Sequence, residues 1–249
     1  NLSYWYLNTQ LGIDSAQTTQ VREDIDGFFD WHRREELPAY AGLLRTWQDM
    51  ARRDVTADEM CRQFDTIRSR LVRASERMVE PLARLARQIG PAQLARLQRK
   101  QADSNEEFAD DFIRGSRDER IERRFERALS RTEQFYGRLS AAQKQLLREQ
   151  IAASPWDARR TQAERQRRQA DLLATVQRVQ AEPERAEQAV REHLARLSTS
   201  PAADYQALSA AAIRHGCGQF AALHNSTTAE QRAQAVRVLQ GYERDLEVL

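Results

Sequence analysis

Cys61 and Cys217 are the only thiols in the chain. Each sits early or midway in a helix-period stretch with an apolar side, beside Met60 and Phe64 in one case and Ile213 and Phe220 in the other. Two chemistries fit them: a disulfide between distant helices in an oxidising compartment, or two small buried apolar side chains. Two cysteines make no framework, so the residues alone leave both open. His215-Gly216-Cys217 puts two metal-ligating side chains close in sequence, but His32, His193 and His224 are scattered. No second Cys/His cluster accompanies that pair, so no metal is expected. Glu35/Glu36 and Asp110/Asp111 are adjacent carboxylates. Neighbours on a helix point about 100° apart rather than at one atom, so they read as surface charge. No phosphate-cradling glycine loop, dinucleotide turn or nucleophile elbow is present. The expectation is a protein without cofactor or catalytic constellation, not an enzyme.

Two arginine groups suit binding rather than catalysis. Trp31-His32-Arg33-Arg34-Glu35-Glu36 sets cations on an aromatic base, with Arg33 and Glu36 three apart and able to pair. It reads as a salt-linked helix end or, more sharply, as a ligand-binding edge. Arg165, Arg167 and Arg168 lie in a polar run from Arg159 to Gln169, which reads first as a solvated face. Arginine matches carboxylate and phosphate bidentately, so Trp31, His32, Arg33, Arg34, Arg165, Arg167 and Arg168 are the candidate partner contacts. Lysine occurs only at Lys100 and Lys144 among 39 basic residues; GC-rich codon usage is the simpler explanation of that bias.

The elements that must position these residues are helices throughout. Nine Gly, six Pro and 31% charged residues in 249 favour helix over sheet, and the length allows a sizeable core. A hydroxyl three positions before Glu or Gln can accept a first-turn amide while the acid or amide reaches back. Thr56/Glu59, Ser116/Glu119 and Ser140/Gln143 have that spacing. Ser226, Thr227 and Thr228 compete to start the last helix, with Ser226 the imperfect case. Asp14 or Ser15 can cap an earlier one. Met60, Phe64, Ile67, Leu71, Ala74, Met78, Leu82, Leu85 and Ile89 form one apolar seam in steps of three and four, with a kink or break expected at Pro81 near Glu80. Tyr4, Trp5 and Tyr6 are expected to pack on the helix carrying Phe28, Phe29 and Trp31, with a membrane interface as the other possibility. Asn225-Ser226-Thr227 has the form of a glycosylation acceptor, but capping has the better claim. No strand alternation and no fixed-period repeat is visible. The fold class is all-α, about ten helices in an elongated multi-helix bundle, one domain over 1–249 with possible subdivision near 115 or 154.

Charge excludes some partners. The 39 basic and 37 acidic residues nearly balance, and no helix-turn-helix, zinc or aromatic-studded basic signature appears, so nucleic acid is not expected. The basic stretch 61–100 and the acidic stretch 101–122 are expected to pair with one another. No eighteen-residue apolar window exists to span a bilayer. Asn1 is not a natural initiator, so a preceding segment is expected to have been removed.

Trp31-His-Arg-Arg-Glu-Glu-Leu-Pro-Ala-Tyr40, Phe135-Tyr-Gly-Arg-Leu139, Glu164-Arg-Gln-Arg-Arg-Gln-Ala-Asp-Leu-Leu173 and Phe220-Ala-Ala-Leu-His-Asn-Ser-Thr-Thr228 resemble, in the same order, an uncharacterised family of proteobacterial lipoproteins. The resemblance covers essentially the whole chain. It implies a signal peptide and lipidated cysteine upstream, a periplasmic body tethered to the outer membrane, and a Cys61–Cys217 disulfide. It supplies no catalytic residue. The function expected is a non-enzymatic interaction or scaffold protein whose partner is an envelope protein or lipid component. The alternatives are a steric folding helper, although the RxxFDY-type signature of helical lipase foldases is missing because Cys61 stands in its Arg position before Phe64-Asp65, and an envelope hydrolase.

Overall fold

The computed structural model describes residues 2–248. Twelve α-helices and one 3-10 turn take up 87% of these described residues, and no strand occurs among them. The helices are α1 (Leu2–Leu11), α2 (Ser15–Glu35), α3 (Leu37–Ala51), α4 (Ala57–Arg77), α5 (Val79–Gln88) and α6 (Pro91–Phe112). There follow α7 (Arg117–Tyr136), α8 (Ala141–Ala152), α9 (Ala158–Ala181), the 3-10 turn Pro183–Arg185, α10 (Ala186–Ser198), α11 (Ala203–Asn225) and α12 (Ala229–Val248).

The all-α expectation holds, and the long seam does divide near Pro81. The Met78 amide bonds Ser75 O at 3.0 Å in a tighter turn, and α5 then starts so that Pro81 is its third residue. There its missing amide has no partner to lose. Reciprocal boxes open α7 at Ser116/Glu119 and α8 at Ser140/Gln143. Thr56 N donates to Glu59 Oε2 at 2.8 Å and Glu59 N to Thr56 Oγ1 at 3.1 Å. Thr228 wins the contest for α12, its amide reaching Gln231 Oε1 at 3.0 Å. Ser226 and Thr227 instead donate their hydroxyls to the carbonyls of Leu223 and His224, because both still lie within reach of the last turn of α11. Gly12 and Gly137 end α1 and α7 at φ of 67° and 72°, a region that only a residue without Cβ enters cheaply.

The chain forms two compact units interleaved in sequence: Asn1–His32, Ser69–Asp110 and Ala158–Gln206, then Arg33–Arg68, Asp111–Asp157 and Ala207–Leu249. The first is centred on α5, α9 and α10, where Val79, Ala83, Val179 and Ala186 are almost wholly buried. Its alanines let these helices approach closely. Tyr4 packs onto this core and bonds Thr18 at 3.0 Å, under the Arg22 guanidinium. Trp5 and Tyr6 stay exposed, so only one of the three N-terminal aromatics packs on α2, and at its start. The second unit packs α3 against α12 and α7 against α8 around Leu147, Phe125, Leu139, Ile151 and Val236.

Candidate ligand-binding cleft

Helix α4 carries the apolar seam read from sequence, yet among its described residues none is buried. In the second unit Met60, Phe64 and Ile67 line an open cleft of about 560 Å³. Trp47 and Met50 of α3, Phe135 and Tyr136 of α7, Phe220 and Leu223 of α11, and Leu239 of α12 complete its apolar walls. Phe64 is 41% and Phe220 46% exposed. A seam that would ordinarily be covered is instead half open to solvent.

Covalent and polar contacts hold this opening in shape. Cys61 and Cys217 form a disulfide, with their Cα atoms 5.4 Å apart, tying α4 to α11. Phe64 and Phe220 each follow their cysteine by three residues, so both lie on the face that carries the sulfur. Trp47 Nε1 donates to Gln63 Oε1 at 3.0 Å and links α3 to α4. The end of α11 grips the segment between α3 and α4. Asn225 accepts from Val55 N and donates to Val55 O, both at 2.9 Å, and His224 Nε2 donates to Arg53 O at 2.8 Å. That use of Asn225 accounts for the residue that resembled a glycosylation acceptor.

The buried polar atoms at the floor are matched to one another. A carbonyl only accepts, so His224 Nε2 carries hydrogen, and Nδ1 is left to accept the Tyr136 hydroxyl at 2.9 Å. Burial drives the His224 pKa below its usual range and pushes the Tyr136 phenol up to about 12. A neutral imidazole and an un-ionised phenol fit this bond. Phe220 stacks on the His224 ring, 6.3 Å between centroids.

The arginine groups picked from sequence do not line the cleft. Trp31 is 7% exposed, with the guanidinium carbons of Arg73 and Arg77 at 5.8 and 5.4 Å from its ring. His32 lies against Phe28 and Phe29, and Arg33 and Arg34 are exposed. Arg165 stacks on Phe108 and donates to Ser104 Oγ at 2.9 Å. Arg167 and Arg168 converge on one carboxylate. Glu164 accepts two bonds of 2.8 Å from Arg167, one of 2.8 Å from Arg168 and one of 3.0 Å from Ser200. Its side chain is 4% exposed. The bonds from Arg167 foremost, then Arg168 and Ser200, outweigh burial and hold its pKa down to about 2. These arginines thus serve an internal network in the first unit, next to a second one where His193 and Arg196 hold Asp171 at 2.6 and 2.9 Å. His215 donates to Gln150 O at 2.7 Å, and the Cys217 sulfur is taken by Cys61. Among the described residues no group of three His, Cys, Asp or Glu side chains could hold a metal ion, and no helix is long and apolar enough to cross a membrane.

The sequence places Trp47 and Phe135 on the apolar sides of helices but marks none of Trp47, Arg131, Phe135 or Leu239 as a site residue. The available signal was the α4 seam itself, an amphipathic face beside a cysteine, but nothing local tells whether such a face is covered.

Fold and site together define an all-helical body with a disulfide-braced apolar cleft. Residues 9–206 match a family of unknown function, DUF6279, and the chain belongs to it. No curated protein and no solved structure matches the chain.

Proposed function

We propose that this protein is a non-enzymatic interaction protein of the bacterial cell envelope, a periplasmic body lipid-anchored to the outer membrane, whose contact surface is the cleft of the second unit. The observation that carries the proposal is the conjunction of an open apolar cleft with a disulfide that ties together two of the helices lining it, α4 and α11. A disulfide persists where the surroundings oxidise. An apolar pocket with a few fixed polar groups is the common form of a binding site. The floor supports binding over turnover, because its ionisable groups, Tyr136 and His224, are buried, held in their neutral forms and bonded to each other. Membrane tethering and the periplasmic location rest on the sequence resemblance.

The test places a photoreactive phenylalanine analogue at Phe64 or Phe220 of the full-length protein in its host, with cells fractionated after irradiation. A discrete adduct in the envelope fraction, absent from a control with the analogue at exposed Arg34, is the expected result. Protein in the cytosol with both thiols free, or identical adducts from all three positions, would remove the proposal.

A further inference from the structure

We propose that the cleft binds one long acyl chain ending in a carboxylate, with Arg131 as the counter-charge at its rim. This rests on the cleft being the contact surface and goes further by naming what enters it.

The walls select the chain. Met60, Phe64, Ile67, Phe135 and Leu239 present carbon and sulfur, and methionine with aromatic edges accommodates a flexible chain without one fixed geometry. The polar side chains of the lining other than Arg131 each already hold at least one hydrogen bond. Tyr136 bonds His224, Trp47 bonds Gln63, and the Thr132 hydroxyl donates to Ala128 O at 2.7 Å. A polar ligand pressed onto this lining would lose its water without regaining equivalent bonds.

Arg131 is the exception. It lines the cleft, is exposed, and among the described residues has no carboxylate partner. Its neighbour Arg127, by contrast, is paired with Asp111 at 2.6 Å. With His224 neutral, Arg131 is the one charged side chain in the lining. An apolar trough ending at a lone cation complements a chain ending in an anion.

The cleft is comparable in size with a single chain. Counting a methylene as about a water's share of liquid, roughly 30 Å³, a sixteen-carbon chain needs on the order of 480 Å³ and a diacyl lipid about twice that. The cleft offers about 560 Å³. One chain fits.

The experiment titrates the disulfide-intact chain with palmitate, myristate, laurate and hexadecyltrimethylammonium below their micelle concentrations, following heat and displacement of a dansyl fatty acid. Palmitate is expected to bind one to one, each two-carbon shortening to weaken binding roughly tenfold, and the C16 cation to bind more weakly than palmitate. Arg131→Gln, at an exposed position, should abolish the preference for the anion and leave the chain-length dependence. Ala128→Trp should fill the cleft and remove binding, and exposed Phe64→Ser provides a second test if Ala128→Trp folds poorly. No palmitate binding, indifference to chain length, or full binding in both cleft variants would overturn the inference. So would binding of an amphipathic peptide or of phosphatidylglycerol vesicles that palmitate does not compete with. If palmitate fails while cross-links at Phe64 persist, the acyl assignment falls and the contact surface stands; if palmitate binds but no envelope adduct forms, the reverse holds.

Discussion

Gln143 and Gln231 each donate an amide hydrogen to the other's carboxamide oxygen, at 2.8 and 3.0 Å. Each oxygen also accepts the N-cap amide of its own helix, Ser140 N for Gln143 and Thr228 N for Gln231. Each nitrogen further bonds the carbonyl two residues before the other's cap, Ser226 O and Arg138 O. Two helix starts are thereby capped and locked together by one symmetric clasp. The first unit repeats it: Gln17 and Gln93 bond each other at 2.7 and 3.2 Å, accept from Asp14 N and Gly90 N, and reach Gln88 O and Gly12 O.

Removing one member leaves buried amide groups without partners. Gln143, 5% exposed, is expected to cost about 2 kcal/mol on replacement by Ala. A double-mutant cycle with Gln231→Ala should give a coupling energy above about 1 kcal/mol. Urea unfolding of the four proteins reads both, and strictly additive losses would mean that the two glutamines act only as separate caps.

The disulfide closes a loop of 156 positions. Chain entropy assigns such a bond about 5 kcal/mol as an upper figure. Cys61→Ser/Cys217→Ser, or reduction, should lower the thermal midpoint by an amount equivalent to about 2–5 kcal/mol. Circular dichroism with and without reductant measures it, and an unchanged midpoint with both thiols verified free by mass would show that the link does not brace the second unit.

Glu164 binds its proton more weakly in the folded protein than in the unfolded chain, its pKa falling from 4.5 to about 2. The unfolded chain therefore takes up a proton first on acidification, so the stability from this carboxylate is complete above pH 4.5 and is lost as pH falls towards 2. Glu164→Gln should cost about 3 kcal/mol at pH 7, since it strips Arg167 and Arg168 of their shared counter-charge. The gap to the parent should close over that acid window in a pH series of denaturant midpoints.

His224 gives a separate window. Burial lowers its pKa below 6.5, so the unfolded state is again the first to protonate. Stability should fall as pH drops from about 6.5. His224→Phe should flatten that slope at a baseline cost of about 2–4 kcal/mol, because the Tyr136 hydroxyl and the Arg53 carbonyl lose their partner. The same slope in both proteins would assign it to another group.

Apolar residues of the cleft and of the core should differ in cost. Leu147 is 1% exposed, and truncation to Ala should cost about 2–5 kcal/mol. Phe64, 41% exposed, should cost less than about 1 kcal/mol on the same change. Equal losses in thermal or chemical unfolding would mean that the α4 seam is core rather than an open site.

Much of this architecture was legible in the amino-acid order because helix starts are decided within four residues. Thr56/Glu59, Ser116/Glu119 and Ser140/Gln143 all close as boxes, and Pro81 ends one helix and begins another where its ring and missing amide require it. Those signals need no distant partner. The disulfide was one of two open chemistries until the fold brought Cys61 and Cys217 together. Arg167 and Arg168 carried the charge suited to an outside anion, yet Glu164, on the same face one turn away, claims them. Whether Met60, Phe64 and Ile67 meet a neighbour or open space was settled only by where α3, α7, α11 and α12 lie around them. Local hydrogen bonds are written into adjacent residues, whereas the covering of an apolar face is a long-range packing outcome that no window of the chain contains.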